Sequence, residues 1–282
     1  MTLIPALQKN EGLWNDIATH AGDAAQICIW WLGQSGFLIS YDGFQLIIDP
    51  YLSDSLTVKY AQTDKPHVRM SERVIDPSLL RGINLVTSSH NHTDHLDAET
   101  LIPLIQNNPG IKMLIPEANR AFVTERIRQP FSFPIGISDG EEVNIDGIQI
   151  YGIPAAHNTL DRNADGKCLY MGYVFRIGGK HIYHSGDTLW FEGLEELLRP
   201  FHIDLALLPI NGNDPARKVS GNLNAREAAQ LAKAIGAKLT VPCHYDMFTF
   251  NTEDPNVFAR EATNAAIQYK IMQHGEKLAI SY

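Results

Sequence analysis

The sequence predicts an α/β protein made of two similar β-rich halves, each carrying helices, with a site where the halves meet. Three observations support this prediction: short apolar runs separated by turn residues, a faint internal repeat of those runs, and residues able to bind a metal at the ends of several runs. The 282 residues suffice for one large domain or two closely packed halves. We expect one domain over residues 1–282, with halves at about 26–150 and 151–282.

Each half is expected to contain a β-hairpin. In segment 36–49 two apolar runs flank the turn residues Asp42 and Gly43. Segment 172–183 repeats this layout around Gly178 and Gly179. The second run of each hairpin leads into an aspartate, Asp49 in the first half and Asp187 in the second.

The repeat continues along both halves. The apolar run 83–86 is echoed by 203–206, and the run 112–116 is echoed by 238–242. A helical pattern precedes the later run of each half, at residues 98–106 and at residues 225–235, with Asn224 as the N-cap of the second helix. Short repeats of this kind also arise by chance, so the polar residues that follow the runs carry more weight.

Four side chains able to bind a metal lie within six positions, directly after the run 83–86. They are His90, His92, Asp94 and His95. Imidazole and carboxylate are ligands that borderline divalent cations prefer. On an extended segment His90 and His92 would point the same way. The alternative, a solvated loop rich in histidine, explains isolated histidines better than this cluster.

Three later residues extend the set: His157, Asp187 and His244 each follow an apolar run. Taken singly, a histidine after a strand is more often structural, and Gly-Asp-Thr is usually a turn. Together with the first cluster they predict one metal site. Cys243 adjoins His244, but strand alternation would direct it to the opposite face, into the core.

Several features of the sequence argue against particular classes of function. The net charge of −9 argues against a nucleic-acid partner bound through its phosphates. The longest apolar runs fall far short of the ~20 residues of a membrane span. The three cysteines form no Cys-x-x-Cys pair, and the N-terminus lacks the pattern of a secretion signal, so we expect a cytoplasmic protein.

In order and type, the seven candidate ligands resemble the ligand motifs of the metallo-β-lactamase superfamily. The resemblance runs from about Ile27 to the C-terminus and implies a four-layer αβ/βα sandwich of two similar halves. Further motifs resemble the branch of L-ascorbate-6-phosphate lactonases, with Gln34 the most telling residue. These motifs are Trp-Leu-Gly-Gln-Ser-Gly-Phe at 31–37, Ile-Asp-Pro at 48–50, Gly-Asp-Thr at 186–188, Leu-Leu-Pro at 207–209 and Val-Pro-Cys-His-Tyr at 241–245.

The resemblance implies a role for each ligand. One metal would be held by His90, His92 and His157, and a second by Asp94, His95 and His244, with Asp187 bridging them. The resemblance also places Asp94 where it could orient the attacking water or carry its proton.

Asp49 is expected to hydrogen-bond a ligand histidine and fix its tautomer, although an Asp-Pro turn alone would also explain this residue. The long polar segment 53–76 is expected to cover the site. Four basic residues are candidate contacts for an anionic substrate, with a solvated surface as the alternative: Lys59, Arg69, Arg73 and Arg162.

The leading hypothesis is a hydrolase that uses a metal-bound hydroxide to open a lactone of a phosphorylated sugar acid, such as L-ascorbate 6-phosphate. The alternatives are a phosphodiesterase acting on RNA or a phospholipid head group, and a non-catalytic protein that keeps the metal for structure. One or two divalent metals are expected per chain. The resembling lactonases imply Mn²⁺, the wider superfamily implies Zn²⁺, and Fe²⁺ suits the same ligands. The expected partner is a small anionic molecule, without membrane or nucleic acid, and the resemblance implies a homo-oligomer.

Overall fold

The structure is a computed structural model that describes residues 2–217, 219 and 221–281. The strands in this part of the chain are β1 (Gln26–Gly33), β2 (Gly36–Tyr41), β3 (Phe44–Ile48), β4 (Leu85–Thr87), β5 (Lys112–Pro116), β6 (Ile135–Ile137), β7 (Glu142–Ile145), β8 (Ile148–Pro154), β9 (Met171–Ile177), β10 (Lys180–His184), β11 (Leu205–Pro209), β12 (Leu239–Cys243) and β13 (Lys277–Ser281). The α-helices are α1 (Asn10–Thr19), α2 (Ser55–Lys59), α3 (Ala98–Asn107), α4 (Arg120–Arg126), α5 (Leu194–Leu198), α6 (Ala225–Ala234) and α7 (Pro255–Ala265). Short 3₁₀ turns span Pro77–Leu79, Glu117–Asn119, Arg199–Phe201 and Pro215–Arg217.

The strands form two mixed sheets of similar construction. The first has the order β13-β1-β2-β3-β4-β5-β6, and the second has the order β12-β11-β10-β9-β8-β7. In each sheet, antiparallel hairpin strands are followed by parallel strands: β3 to β6 in the first sheet and β10 to β12 in the second. The internal repeat therefore corresponds to equivalent strands, because β2 to β5 occupy the same relative places as β9 to β12.

The predicted helices of the repeat are present. Helix α3 connects β4 to β5, and α6 connects β11 to β12, as parallel neighbours require. Asn224 caps α6 in a capping box, in which its Oδ1 accepts from Glu227 N at 2.9 Å and Glu227 Oε2 accepts from Asn224 N at 2.9 Å.

The boundary between the sheets differs from the predicted boundary between the halves. The chain passes from one sheet to the other between β6 and β7, at the turn formed by Asp139 and Gly140, whereas residue 150 lies within β8. In addition, β13 returns to the first sheet and pairs antiparallel with β1. The repeat is thus completed by a strand from the far end of the sequence.

Alternation along β1 shows how the layers are arranged. Ile29 and Trp31 belong to the apolar cluster between the sheets, whereas Cys28 and Trp30 pack in the cluster beneath α1, α3 and α4. On the second sheet, α6 and α7 pack through residues such as Leu231 and Phe258. The order is helices, sheet, sheet, helices, which confirms the predicted four-layer α/β sandwich. In the described part of the chain, no helix is long and apolar enough to cross a membrane.

Candidate metal centre

The seven candidate ligands converge at the loops that follow four strands. The loop after β4 carries His90, His92, Asp94 and His95, while His157 follows β8, Asp187 follows β10 and His244 follows β12. Loops beyond the carboxyl ends of strands are where α/β sheets usually bind ligands.

The ligand atoms form two adjacent groups. The first cluster consists of His90, His92 and His157, and the second cluster consists of Asp94, His95 and His244; within each, the ligand atoms lie within 4.8 Å of one another. Asp187 lies between them, since its Oδ1 is 3.2 Å from His95 Nε2, its Oδ2 is 3.5 Å from His244 Nε2, and it also groups with His90. This is the arrangement expected of a carboxylate shared by two cations.

The donor set fits a divalent cation. The buried side-chain atoms that make no hydrogen bond of acceptable geometry among the described residues include the Nε2 atoms of His90 and His95, and Oδ1 of Asp187. A buried polar atom without a partner is costly, and such groups are rare in native proteins. Several converging on one point indicate lone pairs that a cation would satisfy. Nitrogen and oxygen donors without thiolate suit Zn²⁺, Mn²⁺ or Fe²⁺ alike.

Hydrogen bonds at Nδ1 orient three of the ligand rings. His95 Nδ1 lies 2.7 Å from Asp49 Oδ2, His157 Nδ1 lies 3.1 Å from Gly221 O, and His90 Nδ1 lies 3.0 Å from Ser89 Oγ. With Nδ1 engaged in each case, Nε2 is the nitrogen left for a metal.

Asp49 makes the contact expected of it. Its buried carboxylate also accepts from Ser89 N at 3.0 Å, from Thr87 Oγ1 at 3.3 Å and from Ser89 Oγ. Asp49 adopts a left-handed backbone conformation with φ of 43°, which is uncommon for a residue other than glycine. Strained conformations of this kind cluster at functional sites.

Electrostatics distinguish the two clusters. Burial lowers the pKa of both His90 and His92, so these rings are neutral and able to bind a cation. Burial also opposes charge on His95 and His244, but Asp187 and Asp94 raise the pKa of His244 to about 9 and that of His95 well above its usual value.

The two carboxylates respond in the opposite sense. Burial alone would raise the pKa of Asp94 and Asp187, but His95 and His244 lower both below the ordinary range. A cation entering the second cluster must therefore displace protons from His95 and His244, whereas neutral His90 and His92 already offer it a lone pair.

The loop after β4 is not extended, contrary to the expectation for His90 and His92. Strand β4 ends at Thr87, and the following residues form bends and a turn in which His95 N donates to His92 O at 3.0 Å. The rings of His90 and His92 still meet, with centroids 4.6 Å apart. The loop fold, rather than strand alternation, brings them together.

A cavity of about 440 Å³ opens above the ligands. Segment 53–76 contributes Leu56, Lys59, Tyr60, Lys65 and His67 to its wall, which agrees with the expected cover over the site. Phe248, Phe250 and Asn251 also line the cavity. The wall is thus partly aromatic and partly cationic.

Of the four predicted substrate contacts, only Lys59 lines this cavity. Arg69 instead pairs with Asp54, with Nε and Oδ1 2.7 Å apart, and Arg162 forms two hydrogen bonds to Asp139. Arg73 Nη1 lies 3.5 Å from the carbonyl oxygen of Leu52. These three arginines do not line the cavity, and protein acceptors engage their guanidinium groups.

Three residues of the site were not predicted. His67 stacks on Tyr60 with ring centroids 4.4 Å apart, and its Nδ1 bonds Lys65 O at 2.9 Å. Arg126, on α4, donates to Asn91 O at 3.0 Å and to Leu96 O at 3.2 Å. No sequence pattern links either residue to the ligands. Gln34 contacts Asp94. The motif at 31–37 drew attention to this residue, but the sequence analysis assigned it no role.

Comparisons with known proteins identify the family of this chain. A family model described as Beta-lactamase superfamily domain matches residues 45–245, a range that contains Asp49 and all seven candidate ligands. A UPF0173 metal-dependent hydrolase of Pelotomaculum thermopropionicum is 30% identical over 258 residues, covering 89% of this chain and 99% of that protein. One of Pyrobaculum aerophilum is 27% identical over 253 residues, covering 89% and 99%.

Solved structures agree on the fold. A metallo hydrolase of the archaeon Ignicoccus hospitalis is similar with a TM-score of 0.67 and 24% identity, covering 91% of this chain and 99% of that one. The chain belongs to the β-lactamase superfamily, and within it to the UPF0173 metal-dependent hydrolases.

Proposed function

We propose that this protein is a hydrolase dependent on one or two divalent cations, Zn²⁺ or Mn²⁺, that opens the lactone of a phosphorylated sugar acid such as L-ascorbate 6-phosphate. The observation that carries the proposal is the convergence of two ligand clusters at the floor of a cavity with aromatic and cationic walls. The motif at 31–37, which resembles that of lactonases, favours a lactone over other esters.

The reaction assigns distinct roles to the two carboxylates. A divalent cation here would lower the pKa of a coordinated water and polarise the oxygen under attack. Asp94 lines the cavity with 15% of its side chain exposed, against 5% for Asp187. This exposure supports Asp94, besides being a ligand, as the group that would orient the attacking water and carry its proton, with Asp187 acting as a ligand only.

The positive charges on the cavity wall favour an anionic substrate. Lys59 lines it, and so does Arg126, whose guanidinium donates to two loop carbonyls and packs over the Phe122 ring at 4.6 Å. Among the described residues no carboxylate pairs with Arg126, so its charge is available to a phosphate or carboxylate group of the substrate.

The aromatic side of the wall supports a ring-shaped substrate. His67 stacks on Tyr60, and its edge contacts Phe248 and Phe250, with centroids 5.0 and 4.7 Å away. This packing fixes the ring of His67, and its bond to Lys65 O leaves Nε2 to interact with a substrate hydroxyl.

A second candidate is a phosphodiesterase, because cationic groups beside a two-cation centre also suit a phosphodiester. The net charge of −9 disfavours RNA as its substrate. A phosphodiester of small size fits the cavity better than a polymer.

The direct test is hydrolysis by protein reloaded with Zn²⁺ or Mn²⁺. Proton release would be followed with L-ascorbate 6-phosphate and D-glucono-δ-lactone, and 4-nitrophenol release with bis(4-nitrophenyl) phosphate. We expect lactone opening that is lost on chelation and that falls about 10²- to 10⁴-fold in Asp94→Asn. Turnover confined to the phosphodiester would establish the second candidate instead, and no turnover of any substrate would contradict both.

A further inference from the structure

The side chain of Gln34 reaches into the second cluster. Gln34 is fully buried, its Nε2 donates to Asp94 Oδ2 at 2.9 Å, and the same nitrogen lies 3.0 Å from His244 Nε2. Asp94 and His244 belong to the group that could hold a cation with His95. One amide nitrogen is thus within hydrogen-bond distance of two of the three ligands.

The backbone of Gln34 is fixed in this place. Its carbonyl oxygen accepts from His244 N at 3.0 Å and from Trp31 Nε1 at 3.1 Å. Gln34 adopts a left-handed backbone conformation with φ of 52°. Gly33, with φ of 97°, and His244, with φ of 64°, also have positive φ. The turn at the end of β1 is therefore tied directly to the loop of His244.

An amide nitrogen cannot replace a metal ligand. Its lone pair is delocalised into the carbonyl group, so it donates hydrogen bonds and offers a cation nothing. A hydrogen bond donated to Asp94 Oδ2 also occupies a lone pair of the carboxylate oxygen that lies 3.7 Å from His95 Nε2 and 3.5 Å from His244 Nε2. Gln34 Oε1, the atom that could bind a cation, is buried without a hydrogen-bond partner in the described part of the protein.

In the described part of the chain, no side-chain amide hydrogen-bonds the histidines of the first cluster. His90 Nε2 is buried and has no hydrogen-bond partner among the residues that the structure describes. The hydrogen bonds at His90 and His157 engage Nδ1, on the far side of each ring. The two clusters therefore differ in whether a protein group already engages their ligand atoms.

We propose that Gln34 controls the occupancy of the second cluster: its amide competes with the cation for Asp94 and His244, so the first cluster fills first and the second binds a cation more weakly. This inference rests on the proposed metal site and adds an order of filling to it. Gln34 acts as a positioning residue, since it acts on ligands and not on substrate.

Calorimetric titration of metal-free protein with Zn²⁺ tests the proposal without any substrate. The wild type should show one tight and one weaker site. Gln34→Met keeps an unbranched side chain and removes the amide, so its second dissociation constant should fall about tenfold, the effect of losing one competing hydrogen bond to a charged group. Its first dissociation constant should stay unchanged.

Gln45→Met is the matched control, because Gln45 is a buried glutamine on β3 and is absent from both clusters. It should bind Zn²⁺ as the wild type does. A second constant in Gln34→Met that is unchanged or weaker would overturn the proposal, and weaker binding would identify Gln34 Oε1 as a ligand.

A measurement on the wild type covers the case in which Gln34→Met does not fold. In protein labelled with ¹⁵N-glutamine, the side-chain amide signal of Gln34 should stay in place during the first equivalent of Zn²⁺ and shift during the second. A shift during the first equivalent, or none at all, would overturn the order of filling. Binding of no cation would refute the metal site itself, whereas two equal sites would refute only the role of Gln34.

Discussion

Asp49 and His95 form a hydrogen-bonded pair that is sealed from solvent, with Asp49 Oδ2 and His95 Nδ1 2.7 Å apart and both side chains fully buried. The bond directs His95 Nε2 toward Asp187 Oδ1 at 3.2 Å and Asp94 Oδ2 at 3.7 Å. Because Asp49 follows β3 and also accepts from Ser89, it joins the sheet to the loop that carries most of the ligands.

Replacing Asp49 should weaken metal binding. In Asp49→Asn, an amide nitrogen would face donors at Ser89, Thr87 or His95, so at least one buried bond is lost. We expect affinity for Zn²⁺ to fall about 10- to 100-fold, measured by equilibrium dialysis. Asp139→Asn, which loses a surface pair with Arg162, is the control and should bind normally. Equal affinity in Asp49→Asn and wild type would refute the role of Asp49.

A methyl group at Gly221 should displace a ligand. Gly221 has φ of 85°, and an added Cβ would overlap the ring of His157. Gly221→Ala should therefore weaken Zn²⁺ binding at the first cluster and lower the melting temperature. Gly166→Ala separates the two effects, since Gly166 has φ of 76° but nothing within 4 Å of an added Cβ. It should lower the melting temperature only slightly and leave metal content unchanged. Normal metal content in Gly221→Ala would contradict this account.

The stabilising effect of metal should increase with pH. In the metal-free protein the pKa of His244 is raised to about 9 and that of His95 is also raised. A histidine whose pKa is higher in the folded than in the unfolded protein stabilises the fold. This contribution is complete below about pH 6.5, the pKa in the unfolded chain, and is lost as the pH rises through the pKa in the folded protein. Cation binding needs both rings deprotonated. Melting curves between about pH 6 and about pH 9, with and without chelator-buffered Zn²⁺, should show a larger gain from metal at high pH. A gain that shrinks as pH rises would contradict it.

Lys59 should contribute modestly to anion binding. Calorimetry of the metal-loaded protein with inorganic phosphate should show about two- to fivefold weaker binding in Lys59→Met, the effect of one exposed charge. Arg162→Met should bind phosphate as the wild type does, because Arg162 lies outside the cavity. Arg69→Met should instead lower the melting temperature, because the Arg69 side chain is 8% exposed and pairs with Asp54. Equal phosphate binding in Lys59→Met and wild type would remove Lys59 from the site.

Much of the fold was predictable because strands and their turns leave local signals. The hairpin runs around Asp42 and around Gly178 lie in equivalent strands, and Asn224 caps the helix predicted after it. The candidate ligands were predictable for a related reason. Each lies in a loop that follows an apolar run, and the ends of β4 in the first sheet and of β8, β10 and β12 in the second sheet meet at one place in the sandwich.

What the sequence did not reveal depends on tertiary contacts. Arg126 reaches the ligand loop from α4, and His67 reaches the cavity from an irregular segment, so neither has a local pattern. The pairing of Arg69 with Asp54 has no local signal either, because the two residues are 15 positions apart in the sequence. The sheet boundary near residue 140 was misplaced because β7 and β8 form one more hairpin of the second sheet.

The pairing of β13 with β1 has a consequence for synthesis of the chain. Residues 26–33 emerge from the ribosome long before residues 277–281, so through most of translation β1 has an open edge that can pair with strands of other nascent chains. Removal of residues 277–281 would leave this edge of β1 unpaired in the finished protein as well. We then expect aggregation before any loss of catalytic activity.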